Sequence, residues 1–351
     1  MKMPFLYGVI LHCLHKINGE RTIYSVYHLL NGKKSSQTIQ DAHLFQLGPF
    51  FKSFPSLTRV QLEQIVTFLC SKGLLLQETD QLYQVTEQGI DRINKWKSEH
   101  LFLQYLDGIN CQVTEGFWER LTLLVQVASK LANHESEYMP IQKSKEVQRW
   151  LKGFLNRSNY NRGELAETLF AELVSCLQEN EYIDPSVVVI RLTGCHSIGL
   201  TEAQACETLQ VEPTLFHFLF VALLHFMMKT IKSKKGSYPL LYPLLATLQK
   251  GDTITLSAQK TYTLLNKGYS IDEIAAIRNL KSSTIHDHIV ELALNIESFD
   301  ISPFVNDNKQ KLILDAAQKT SSRQLKYIRQ SVQEADYFEI RLVLARLGAK
   351  R

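Results

Sequence analysis

The sequence predicts a mainly α-helical protein, with an N-terminal winged helix carrying a small β-hairpin, a helical middle region and a C-terminal helix-turn-helix domain. Three observations predict it. Apolar residues recur at three- and four-residue spacing along most of the chain. The pattern shifts to two short extended runs only in LLLQETDQLYQVT, residues 74–86. SIDEIAAIRNLKSSTIHDHIVELAL, residues 270–294, has the cap, the tight turn and the two amphipathic stretches of a helix-turn-helix.

A chain of 351 residues is long enough for two or three domains, each with its own core. Its 45% hydrophobic and 21% charged residues are ordinary for a soluble globular protein. A formal charge of +4 permits a nucleic-acid partner without requiring one, because such binding depends on local clusters of Lys and Arg. The six cysteines are widely spaced and form no C-x-x-C pair, which predicts buried thiols in a reducing cytoplasm. The apolar run at the N-terminus is short, is interrupted by His12 and His15, and has no cleavage site behind it. The apolar stretch Leu215–Met228 falls short of the ~20 residues that cross a bilayer, so it is expected as a buried helix, with no membrane partner.

Taken in order, a first helix precedes ERTIYSVYHLLNG, where Ile23, Val26, Tyr27 and Leu30 form one face and Asn31-Gly32 ends it. A short helix follows through Thr38 and Ile39, and then a longer one through Val60, Leu62, Ile65, Val66 and Leu69 up to Gly73. The hairpin packed behind that helix completes the winged helix, residues 1–97. Residues 98–231 are expected to be helical, and LTEAQACETLQVEPTLFHFLFVALL reads as two packed helices or a second, degenerate helix-turn-helix. KTIKSKKGSYPLLYP reads as a basic linker over 232–249, with Lys232, Lys234 and Lys235 as candidate DNA contacts. The last domain occupies 250–351.

In that domain Ser270 and Glu273 form a capping box, and Ile271, Ile274, Ala275 and Ile277 give the apolar face. The next helix turns Ile285, Ile289 and Leu292 inward and presents Ser282, Ser283, His286, Asp287, Val290 and Glu291 outward. In DNA readers of this kind the start of that helix enters the major groove. Ser282, Ser283 and His286 are therefore candidate DNA contacts, with Lys281 near a phosphate. Asp287 and Glu291 on the same side predict contact of little sequence specificity. Lys33 and Lys34 serve as phosphate contacts or as solvated cations at a helix end.

The N-terminal pattern from Glu20 to Gly89 resembles the winged-helix RQC domain of RecQ-family DNA helicases, notably in ERTIYSVYHLLNGKKSSQTI and LYQVTEQG. It departs from that domain in having no zinc-binding Cys cluster and in its short acidic wing turn, Gln77–Gln81. The C-terminal stretch resembles the helicase helix-turn-helix domain of RecQ proteins, through Phe299-Asp300-Ile301, Leu325 to Ile328 and the run Tyr337–Leu344. A chain with both modules and no motor resembles the YpbB family of bacterial proteins, encoded beside a short RecQ-type helicase. The resemblance implies DNA binding and a RecQ-type helicase as partner, in DNA repair or recombination.

An enzyme is not expected. NGKKSS, residues 31–36, lacks the first glycine of a phosphate-binding loop and follows no strand. The histidines have no third ligand at metal-binding spacing, and Cys195-His196 stands without a matching acid. No cofactor or metal is called for. A transcription regulator and a protein-binding scaffold are the alternative functions.

Overall fold

The computed structural model describes residues 3–135, 137–158, 160–248, 254–296, 298–319 and 325–349. The protein is mainly helical, with one two-stranded antiparallel hairpin and a C-terminal helix-turn-helix. In chain order the elements are α1 (Phe5–Ile17), α2 (Ile23–Asn31), α3 (Ser36–Leu44), α4 (Arg59–Ser71), β1 (Leu75–Thr79), β2 (Leu82–Val85) and α5 (Glu87–Glu99). Then come α6 (Thr114–Ala132), α7 (Lys145–Arg157), α8 (Arg162–Gln178), α9 (Ser186–Val189), α10 (Glu202–Leu209), α11 (Pro213–Ser233) and α12 (Tyr242–Ala246). The chain closes with α13 (Leu256–Leu265), α14 (Ile271–Arg278), α15 (Ser282–Asn295), α16 (Asp307–Lys319), α17 (Leu325–Ser331) and α18 (Tyr337–Ala349).

Among the described residues the chain divides into two compact units, one of residues 3–6 and 96–248, the other of 7–95 and 254–349. The second unit therefore joins the two ends of the chain. Within it, α3 of the N-terminal module packs against α15 and α18 of the C-terminal one. The boundary expected at 249–250 lies outside the described residues.

In this second unit α4 starts at a capping box of Thr58 and Gln61 and buries Leu62, Ile65, Val66 and Leu69. Val60, expected on that apolar face, is exposed, because it falls one position outside the buried stripe. The hairpin pairs Leu75 with Val85 and Leu76 with Gln84, and turns through Asp80-Gln81, with Gln81 at positive φ. The Gln81 carbonyl accepts from the Ile23 N–H, tying the wing to the start of α2.

The other unit is built around α11, which touches α6, α8, α9, α10 and α12. At 21 residues α11 is longer than the apolar run Leu215–Met228 suggested, and it is long and apolar enough to cross a membrane by length and composition. In this structure most of it is buried by its neighbours. The stretch expected as a basic linker is packed instead: Tyr238, Leu240, Leu241 and Leu244 are at most 1% exposed. A buried carboxylate, Glu172 on α8, accepts the N–H groups of Leu240 and Leu241 at 2.9 Å each. Four apolar side chains in that stretch outweigh the solubility of its lysines, so the chain cannot swing free there.

The α10–α11 corner repeats the geometry of α14–α15. Thr201 and Gln204 form a capping box as Ser270 and Glu273 do, and both first helices have eight residues. Gln210 and Asn279 are both left-handed, at φ 52° and 50°. The Val211 N–H donates to the Cys206 carbonyl at 3.1 Å, as Leu280 does to Ala275 at 2.9 Å. Phe216 and Ile285 then fill the core at matching positions.

Candidate nucleic-acid interface

The C-terminal helix-turn-helix is built from α13, α14 and α15. Ser270 caps α14 by accepting the Glu273 N–H, while the Glu273 carboxylate accepts the Ser270 N–H at 2.8 Å. Those bonds hold the Glu273 carboxyl below the usual carboxylate range. Asn279 makes the turn, and Ile274 and Ala275 are buried where α15 approaches. Ile277, expected on the apolar face, is exposed, and Leu280 is half-buried. The guanidinium of Arg278 takes over the bracing, donating to the Ser257 carbonyl at 2.8 Å and to the Thr261 hydroxyl. Thr261 in turn meets His288 Nδ1 at 2.9 Å.

The face of α15 expected to look outward is largely covered. Val290 and Glu291, read as exposed from periodicity, are 0% and 3% exposed. α3 and α18 pack on α15 in addition to α13 and α14, and Glu291 meets Thr255 at the start of α13. Glu291 accepts from the Thr255 N–H and, at 3.1 Å, from its hydroxyl. Burial pushes its carboxyl pKa up, and the Thr255 bonds and Lys34 offset part of that. His286 is half-buried, its ring stacked on Phe338 with centroids 4.0 Å apart. Burial lowers its pKa, so the stack holds a neutral ring near neutral pH. Asp287 is paired with Arg341 at 2.7 Å.

The first turn of α15 stays open. Lys281 and Ser283 are exposed, and half-buried Ser282 donates to Asp272 on α14 at 3.1 Å. Lys33 and Lys34 are exposed in the loop between α2 and α3. Lys232, Lys234 and Lys235 belong to the other unit, at the end of α11, where Lys234 pairs with Glu179 at 2.8 Å. The candidate cations are thus divided between the two units. The α10–α11 corner is a poor place for phosphate, since Glu212 stands where α15 has Lys281. Its carboxylate accepts the Phe5 N–H at 3.1 Å.

A family model described as a helix-turn-helix domain matches residues 257–344, from α13 into α18. Protein YpbB of Bacillus subtilis (strain 168) is 33% identical over 350 residues, covering 99% of this chain and 98% of that protein. The chain belongs to the YpbB family. No solved structure matches it.

This YpbB-family chain also carries a group of side chains that its sequence does not announce. Arg59, at the first position of α4, lies with its guanidinium carbon 5.3 Å from the Tyr24 ring centre and 5.6 Å from that of Tyr27. Tyr27 packs edge-on against His28, at 5.3 Å. The signal was a Tyr-x-x-Tyr spacing, which places both rings on one side of α2, and an Arg directly after the Thr58 cap. Neither distinguishes a surface from a core until α2 and α4 are seen together.

Proposed function

We propose that this chain is a non-catalytic DNA-binding accessory of the cytoplasm that partners a RecQ-type DNA helicase in DNA repair or recombination. The observation that carries this reading is the union of the two helicase-type modules in one folded unit, where α3 packs on α15 and α18 and Arg341 bonds to both α15 and α3. One rigid piece holding both modules suits an adaptor that presents nucleic acid to a separate motor. The DNA contacts assigned are Lys281, Ser282, Ser283 and the edge of His286, with Lys33 and Lys34 on phosphates. Lys232, Lys234 and Lys235 would add backbone contacts on the other unit. Membership of the YpbB family and the helix-turn-helix match support DNA binding.

An operator-reading regulator is less well supported. Laying α15 along a major groove would uncover Val290, at a cost of about 1.5–3 kcal/mol for that side chain alone, and would turn Glu291 toward phosphates. The test is co-purification of the tagged chain with the RecQ-type helicase of its own cell, together with affinity for forked DNA as salt is raised. A stable complex and a logarithmic fall of affinity with salt are expected. Absence of both would remove the proposal.

A further inference from the structure

The face of α15 is closed, but the corner where α2 meets α4 is open and built for a different contact. Arg59, Lys33 and Lys52 are exposed there, and none is in an ion pair among the described residues. Gly32 sets their arrangement. Its backbone is left-handed, at φ 72°, and a Cβ on it would lie 2.5 Å from Lys52 Cβ, so only glycine lets the Lys52 segment close against the end of α2. The Lys52 N–H then donates to the Leu29 carbonyl at 2.9 Å. Lys52 is thereby held beside Lys33.

Beside these cations, two half-buried tyrosines stand one turn apart on α2 beneath the Arg59 guanidinium. The Tyr24 hydroxyl donates to Glu63 at 2.7 Å, which fixes that ring and places one carboxylate at the edge of the corner. His28 records the crowding of positive charge: burial lowers its pKa, and Lys33 and Arg59 lower it further. Lys33 and Arg59, close enough to His28 to act on it, bring positive charge that suits an anion. An exposed guanidinium over two aromatic rings also offers a planar group to a nucleobase.

We infer that the α2–α4 corner binds a nucleic-acid strand with unpaired bases, its phosphates on Lys33, Lys52 and Arg59 and a base against the group of Arg59, Tyr24 and Tyr27. Paired bases in a duplex have their faces covered by neighbours, so a contact to a base face selects single-stranded over double-stranded DNA. This rests on the DNA-binding reading above and assigns it a substrate class.

The experiment is fluorescence anisotropy of the full chain with labelled oligo-dT of about 20 nucleotides and with a blunt duplex of equal length. Oligo-dT should bind more tightly than the duplex. Arg59→Ala should weaken oligo-dT binding about tenfold, with an unchanged circular dichroism spectrum because Arg59 is exposed. Arg59→Lys should restore the salt dependence but not most of the affinity, since it returns the charge without the plane. Equal binding of oligo-dT by Arg59→Ala and the parent chain, or a preference for duplex, overturns the corner. If all the variants still bind duplex in a salt-dependent way, the DNA-binding reading survives that loss. If the parent chain binds neither probe, both fall together.

Discussion

The Arg341 guanidinium lies 2.7 Å from the Asp287 carboxylate, and so links α18 to the helix expected to face DNA. The same side chain donates to Gln40 Oε1 at 3.1 Å, while the Arg341 carbonyl accepts from Gln40 Nε2 at 3.2 Å. Residues from both ends of the chain therefore meet at one cation. Asp287 is 47% exposed, so solvent screens the ion pair, and the bonds to α3 carry more of the effect. Arg341→Met should lower the stability of this unit by about 1–2 kcal/mol in urea unfolding. Removal of Gln40 in the same chain should add less than its separate effect, since the two share one contact.

Ala275→Glu should be far more damaging. Ala275 is 8% exposed, at the contact of α14 with α15, so a carboxylate there would be taken out of water between two packed helices. A loss on the order of 3–5 kcal/mol is expected, seen as early unfolding of the terminal unit. A melting temperature equal to that of the parent chain would show that α14 can rotate to release the side chain.

Lys281→Ala with Ser283→Ala should leave the fold intact, because both side chains are exposed. Loss of one phosphate contact should reduce the slope of log affinity against log salt by about 1. His286→Ala belongs to a different class. It removes the stack on Phe338 and should cost about 0.5–1.5 kcal/mol of stability as well as any contact it makes.

The pH dependence has a defined sign. His225 is buried on α11, its Nδ1 accepts the Asp107 N–H at 3.0 Å, and burial brings its pKa down to about 4. Its folded-state pKa lies below that of the unfolded chain, so the unfolded state takes up the proton first. Stability is therefore full above the unfolded pKa of about 6.5 and falls as pH drops toward 4. Between pH 7.5 and 5 the loss from this one group should be about 2 kcal/mol. His225→Asn, which can keep the acceptor, should flatten that part of the curve; an unchanged slope would assign it to other groups.

How much of this was legible in the sequence depended on the range of the interactions. The caps of α4 and α14, the ends of α2 and α14, and the hairpin depend on neighbours a few residues away, and the residue pattern contains them. Val290 and Glu291 could not be placed that way. Helical period gives one apolar side of α15 and says nothing of α3, more than 200 residues away, or of α18, which also pack on it, nor of Thr255 reaching Glu291. Similarly, the lysines of KTIKSKKGSYPLLYP suggested a linker, yet Tyr238, Leu240 and Leu244 decide its position. The Arg59 corner was hidden for the same reason, since its rings and cations come from separate helices.

The pairing of Gln40 with Arg341 spans 301 positions and sets the order in which this protein can mature. On the ribosome, the side of α3 that packs on α15 and α18 emerges early and stays uncovered until those two helices are made. A message cut short before α18 would thus yield a product whose defect lies at its beginning, a natural target for chaperones and proteases.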